Sequence, residues 1–299
     1  MSIIASIIAA LVPMLFYLVF LWKMDRYEPE PVWMVAKHFL WGALGAVLFG
    51  VLVSSFFSEG MGLIISNENT TTLLGAVLIA PFVEEITKEI YLLRSVKQNY
   101  FDNMTDGLVY GGAIGLGFGL TENLMYFTLN DDTFMSWLSL VFVRSMFSAT
   151  MHAIATATFG AFLAKAKFSN KWLDKISYPI VGIILAMSFH AIWNLTVSFQ
   201  FSYFVGILFM VVLFIGFGLI FRFSLNTEKK IIQSELEEEI EIINFPPDHI
   251  PIVSTSKKVK RNWVNNKVRK EYTSYATKLA FRKFQAKHSS GLRKENYLA

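Results

Sequence analysis

The sequence predicts an all-α protein: a polytopic transmembrane helix bundle of about seven spans with a cytoplasmic C-terminal tail. Three observations lead there. Of the 299 residues 54% are hydrophobic and only 17% are charged, whereas soluble domains are nearer 25% charged, roughly. The apolar residues gather in runs of about twenty, the length a helix needs to cross a hydrocarbon core of ~30 Å. Lys and Arg fall in alternate connections between those runs. The mean hydropathy of +0.45 agrees. Such a composition excludes a disordered chain, a coiled coil and most soluble enzymes. The absence of cysteine excludes disulfides, zinc fingers, thiol catalysis and Fe–S clusters.

The spans are expected at residues 3–22, 36–57, 72–92, 106–127, 135–163, 178–199 and 203–222. The first has no basic n-region and no small-residue cleavage site behind it, so it reads as a retained helix rather than a signal peptide. Between spans 1 and 2, Asp25–Pro31 reads as a solvated loop whose prolines delimit the second span. Span 4 places Gly107, Gly111, Gly115 and Gly119 four apart, a smooth ridge that lets another helix backbone approach closely. The connections after spans 1, 3, 5 and 7 carry the Lys and Arg. Those after spans 2, 4 and 6 carry none, and hold Glu59, Glu68, Asp131 and Asp132. The positive-inside rule then sets the N-terminus outside and the C-terminus in the cytoplasm.

Residues 1–222 form the expected transmembrane domain and 223–299 the tail. The tail starts as an acidic, periodic helix over 228–243. A Pro-containing linker (residues 245–251) follows, then a basic segment with interleaved aromatics over 257–294. Of 27 Lys and Arg, 13 lie in 257–299 beside two acidic residues. Such a segment suits anionic lipid head groups. No recognised nucleic-acid motif accompanies it, so nucleic acid is not the expected partner.

The chemistry lies in ionisable groups inside the spans. Span 3 holds Glu84, Glu85, Lys88 and Glu89; span 4 holds Glu122 and Asn123; span 5 holds Arg144 and His152; span 6 holds His190 and Asn194. Each isolated charge costs on the order of 3 kcal/mol at a helix centre. Six would cost roughly 18 kcal/mol, more than most domains have in reserve. These residues must therefore face inward and satisfy one another or water. Glu84 and Lys88, four apart, share a face and can pair. Glu85 points about 100° away, so the two carboxylates can hold different roles. Glu85 and Glu89 share another face, where like charges crowd and a carboxyl becomes fit to serve as a base. His190 and Asn194 share one face of span 6, an imidazole and an amide suited to a developing oxyanion.

Neither a Ser-His-Asp arrangement nor His-Glu-x-x-His is present, so activated water is the better nucleophile. The set favours glutamate-activated water without a cofactor. A divalent metal such as zinc stays open as the alternative, held by Glu84, Glu85, His152 and His190.

Several motifs then coincide. They are Asp25-Arg-Tyr-Glu28-Pro-Glu30-Pro, Phe82-Val-Glu84-Glu85-Ile-Thr-Lys88-Glu89, Asp106-Gly107-Leu-Val-Tyr110-Gly111, Gly117-Phe-Gly-Leu-Thr-Glu122-Asn123, His152-Ala and His190-Ala-Ile-Trp-Asn194. In this order over residues 25–194 the chain resembles the PrsW family of intramembrane proteases, related to the CAAX-protease and bacteriocin-processing superfamily. The resemblance implies peptide-bond hydrolysis in or at a bacterial cytoplasmic membrane. It implies that Glu84 and Glu85 supply the base and that His152, His190 and Asn194 line the site. The clustering of polar residues at similar depths on four successive helices adds His152 or Glu122 as the group that manages protons or the water. It also implies membrane-protein substrates, such as an anti-sigma factor cut on the extracytoplasmic side. Lys88 stands where the wider superfamily often has Arg, which argues against a prenyl-protein processing enzyme. Ser148 stands where that superfamily often has Phe. The competing classes are a proton-coupled transporter, which would usually show an inverted repeat, and a non-catalytic membrane scaffold.

Overall fold

A computed structural model describes residues 2–98, 100–129, 133–255 and 262–288. No strand occurs among them. Seven long helices carry the seven expected spans: α1 (Ile3–Met24), α2 (Val32–Gly62), α3 (Glu68–Ser95), α4 (Met104–Leu129), α5 (Phe134–Phe168), α6 (Trp172–Val197) and α7 (Tyr203–Ile243). Six of them, all but α4, are long and apolar enough to cross a membrane. The protein is thus an integral membrane helix bundle. Asp131 and Asp132, counted above among the acidic connections, lie outside the described residues.

α4 owes its lower hydropathy to its glycines and polar residues, and it is the axis of the bundle. Residues Thr105–Gly119 are buried without a break. Its start is fixed locally, because Asn103 Oδ1 accepts from Asp106 N at 3.0 Å and Asp106 Oδ2 accepts from Asn103 N at 2.9 Å. This reciprocal exchange is the logic of a capping box. The glycine ridge then packs on α5. A Cβ at Gly107, Gly111 or Gly115 would overlap the backbone carbonyl of Gly160, Thr156 or His152, and one at Gly119 would meet Ala149 Cβ at 2.7 Å. On another side, Gly117 meets the Phe39 carbonyl of α2 and Gly42 of α2 meets the Ile114 carbonyl. α4 is therefore held by close backbone approach to α5 and α2.

Three helices contain π-helical turns, at Trp41–Ala46 in α2, Gly75–Ile79 in α3 and Arg144–Ser148 in α5. Such turns leave the regular ladder and free polar groups for other partners.

The Asp25–Pro31 connection is not a solvated loop. Asp25 and Glu30 are buried, Trp22 Nε1 donates to the Glu30 carbonyl at 2.7 Å, and the Tyr110 hydroxyl donates to Glu30 Oε2. The buried start of α4 draws the segment inward.

At the other end of the chain, α7 continues without interruption past residue 222 to Ile243, so the acidic stretch is an extension of the last span rather than a separate short helix. Asn244 closes it in the left-handed conformation, at φ 53. The proline segment follows as helical turns, Pro247–His249 and Ile250–Val253 (α8). The basic segment forms α9 (Arg269–Lys287), which folds back on α7. Phe281, Ala280 and Ala276 pack with Ile232, Leu236 and Val253. Lys283 pairs with Glu239 at 2.5 Å and Lys287 with Glu235 at 2.8 Å. The basic residues at 257–261 and 293–294 lie outside the described residues, whereas Lys267, Arg269, Lys270, Lys278 and Arg282 lie within them.

Candidate active site

The polar residues of α3, α4, α5 and α6 converge on one cavity of about 250 Å³. On each helix they recur at helical spacing: Ala76, Ala80 and Glu84; Glu122 and Tyr126; Arg144, Ser148 and His152; His190, Asn194 and Ser198. α3 and α5 run away from the end opposite the tail, and α4 and α6 run towards it. Their lining residues fall in the first parts of α3 and α5 and in the last parts of α4 and α6. The cavity therefore occupies the half of the bundle opposite the tail.

Its floor is a chain of hydrogen bonds. Lys88 Nζ donates to Glu85 Oε1 at 2.8 Å and meets His152 Nδ1 at 2.9 Å. His190 Nδ1 meets the same Glu85 oxygen at 2.8 Å. His152 Nε2 meets Glu122 Oε2 at 2.8 Å, and the Arg144 guanidinium pairs with that oxygen at 2.9 Å. Arg144 Nε also donates to Asn123 Oδ1 at 3.1 Å, and its guanidinium lies 3.6 Å over the Tyr126 ring. An ammonium only donates and a carboxylate only accepts. His152 therefore receives Lys88 on the Nδ1 lone pair and gives its Nε2–H to Glu122. His190 gives its Nδ1–H to Glu85, which makes Nε2 the nitrogen that carries the lone pair in the neutral ring.

The two neighbouring glutamates have different surroundings. Glu85 is fully buried behind the cavity wall and accepts from both Lys88 and His190. Glu84 faces the cavity, and its Oε2 has no hydrogen-bond partner. That oxygen lies 3.8 Å from His190 Nε2. The Glu84–Lys88 pairing expected from spacing is secondary, since Lys88 lies 3.9 Å from Glu84 but 2.8 Å from Glu85. His190 bonds the same Glu85 oxygen and His152 meets the ammonium, and these two contacts draw the lysine to Glu85. Glu89 is buried outside the cavity wall with no hydrogen bond to its carboxylate.

Asn194 lines the cavity, and its Nδ2 donates to the Ala76 carbonyl at 2.8 Å, within the π-helical turn of α3. Trp193 Nε1 donates to Ser148 Oγ at 3.1 Å. Sequence reading named six residues: Glu84, Glu122, His152, His190 and Asn194 line the cavity, whereas Glu85 lies behind its wall, bonded to Lys88 and His190, and is not among the three grouped ligand candidates. It left out Tyr126 and Ala76, and it gave no role to Arg144. The signal for Arg144 was available: Arg144, Ser148 and His152 stand four apart.

Glu84, His152 and His190 each offer one ligand atom, all within 4.8 Å of one another. One carboxylate and two imidazoles make the donor set of an open catalytic zinc site. The orphaned Glu84 oxygen and the His190 Nε2 lone pair are available to such an ion, so the residues fit it.

Residues 30–217 match the family described as PrsW family intramembrane metalloprotease. Among curated proteins, the chain is 30% identical over 175 residues to Protease PrsW of Bacillus subtilis (strain 168), covering 56% of this chain and 74% of that protein. It is 26% identical over 207 residues to Protease PrsW of Geobacillus kaustophilus, covering 69% and 85%. It is 22% identical over 205 residues to Protease PrsW of Clostridioides difficile, covering 68% and 84%. No solved structure matches the chain.

Proposed function

Because this chain belongs to the PrsW family of intramembrane proteases, we propose that it cuts its membrane-protein substrates in the cavity bounded by Glu84, Glu122, His152 and His190. The single observation that carries this is the cavity-facing Glu84 carboxylate beside two imidazoles whose tautomers their neighbours fix. Glu84 takes the proton of a water in the cavity as it attacks the scissile carbonyl. His190, oriented by Glu85, directs its Nε2 lone pair at the same space. This makes it a proton acceptor or ligand rather than the oxyanion donor that the sequence suggested. Asn194 uses one amide N–H on Ala76 and has the second for the developing oxyanion. Glu84 then returns that proton to the leaving amine, beside His152, which Lys88 and Glu122 hold in place. A divalent metal such as zinc, bound by Glu84, His152 and His190, would polarise the carbonyl and acidify the water.

The basic connections lie at the tail end of the bundle, and the positive-inside rule supports a cavity in the extracytoplasmic half. Residues 1–222 are then the catalytic body and 223–299 a cytoplasmic tail, whose remaining basic positions suit anionic head groups. A substrate cut near its extracytoplasmic membrane boundary, such as an anti-sigma factor, fits this placement.

The test compares new protein termini in membranes holding equal amounts of wild type and Glu84→Gln. Termini near transmembrane segments should appear with the wild type and fall by roughly 10²–10⁴-fold in the variant. Unchanged termini in a folded, inserted Glu84→Gln protein would refute the assignment.

A further inference from the structure

Lys88 is the polar group at the centre of the site to which the chemistry above gives no step. Its side chain is fully buried. The ammonium lies 2.8 Å from Glu85 Oε1, 2.9 Å from His152 Nδ1 and 3.9 Å from Glu84 Oε2, and 4.0 Å over the Phe118 ring. It thus touches one of the three candidate ligands directly and stands close to a second.

Lys88 stands against a bound ion in two ways. The first is the lone pair. A metal ion needs an unprotonated imidazole nitrogen. In His152 that nitrogen is Nδ1, because Nε2 carries the proton given to Glu122. Nδ1 is the atom that the Lys88 ammonium occupies, so an ion must take the ammonium's place there. The second is charge. Glu84, Glu85 and Glu122 are offset by Lys88 and Arg144, which leaves one negative charge in the cluster with both imidazoles neutral. A divalent ion turns this into one positive charge inside the membrane. Without Lys88 the same ion brings the cluster to neutrality, and uncompensated buried charge is the costly state.

We propose that Lys88 is a built-in competitor of the divalent ion: it holds His152 when no ion is bound and must release it when one binds. The inference rests on the reading of this cavity as the catalytic site. Glu85, the closest partner of the ammonium, holds the lysine in both states. Ion binding at Glu84, His152 and His190 is thereby weaker than the bare donor set would give.

The experiment titrates the purified, metal-stripped full chain in detergent with cobalt(II), read by its visible absorption, and then with zinc in competition. Lys88→Met should bind at least about tenfold more tightly than the wild type, in the range by which neighbours of metal ligands alter affinity. Lys88→Arg, which keeps the charge, should stay near the wild type. His190→Ala should abolish the tight binding of Lys88→Met. Size exclusion and helicity confirm folding, and Lys88→Gln, which keeps a donor for Glu85, replaces the Met variant if that one fails to fold. Equal or weaker binding by the neutral variants would overturn the proposal, as would binding by neither wild type nor variants. The two readings fail separately. The expected affinity order without cleavage would refute the protease assignment alone, and normal cleavage with a flat affinity order would refute the competition alone.

Discussion

Glu122 meets two partners through one oxygen: His152 gives Nε2–H, and the Arg144 guanidinium forms an ion pair at 2.9 Å. Arg144 is in turn fixed by Asn123 and by the Tyr126 face. Its charge therefore reaches the chemistry through Glu122, and it is a positioning residue. Arg144→Gln and Glu122→Gln are each expected to lower kcat by about 10–100-fold, the usual cost of losing an outer partner of a site residue. In the double variant the losses should not add, because the second change removes what the first acts through. Cleavage rates on a reconstituted transmembrane substrate check this, and additive losses would contradict it. The sequence showed these ionisable residues because a charge inside a span needs an inward partner. It did not show which partner each one takes. Lys88 can reach both i−4 and i−3, and His152 and His190, on other helices, settle the choice in favour of Glu85.

Among the elements, α4 sets the position of His152. A Cβ at Gly115 would strike the His152 carbonyl, which is backbone and cannot turn aside. A Cβ at Gly112 meets only the end of the Leu21 side chain, at 2.5 Å. Gly115→Ala is expected to destabilise the protein by about 1–3 kcal/mol, as overpacking does, and to slow cleavage as well. Gly112→Ala should cost less and leave the rate near that of the wild type. Thermal unfolding in detergent and cleavage rates, measured together, distinguish them; equal effects would refute the close approach of α4 to α5 as the cause. The ridge itself was legible in the sequence, since a four-residue glycine repeat has few uses besides helix contact. The π-helical turns were not. Packing against neighbouring helices sets them, and no residue at 75–79 or 144–148 signals them. The same holds for α9. Its basic composition concealed the apolar face of Ala276, Ala280 and Phe281 that docks on α7.

For the whole molecule, the tail end is a meeting of charges. A cavity of about 670 Å³ separates Glu28, Glu30 and Asp102 of the membrane body from Lys278 and Arg282 of α9. Burial pushes the Glu28 carboxyl up to about 8, with Asp102 and Asp25 adding to the effect and Lys278 and Arg282 opposing it. Burial likewise pushes Glu30 up to about 8, against the hydrogen bonds from Asp106 and Tyr110. Asp102 is raised as well, first by burial. Charge alternation along the sequence located this end of the bundle, but burial of the Asp25–Pro31 carboxylates depends on the α4 start and the docked tail and could not be read from it. The consequence for stability follows from proton linkage. Between the ordinary value of 4.5 and the folded value of about 8, the folded protein keeps protons that the unfolded chain has released. Stability must then fall as pH rises through that window, being fully present below it and lost above it. The thermal midpoint in detergent should therefore drop between about pH 6 and about pH 8.5. Glu30→Gln, which still accepts from Tyr110, removes one of the two carboxyls and should flatten the slope. A midpoint that rises over this range, or a slope unchanged in Glu30→Gln, would show that these carboxylates are ionised and paired in the folded protein, with the tail acting as their counter-ion.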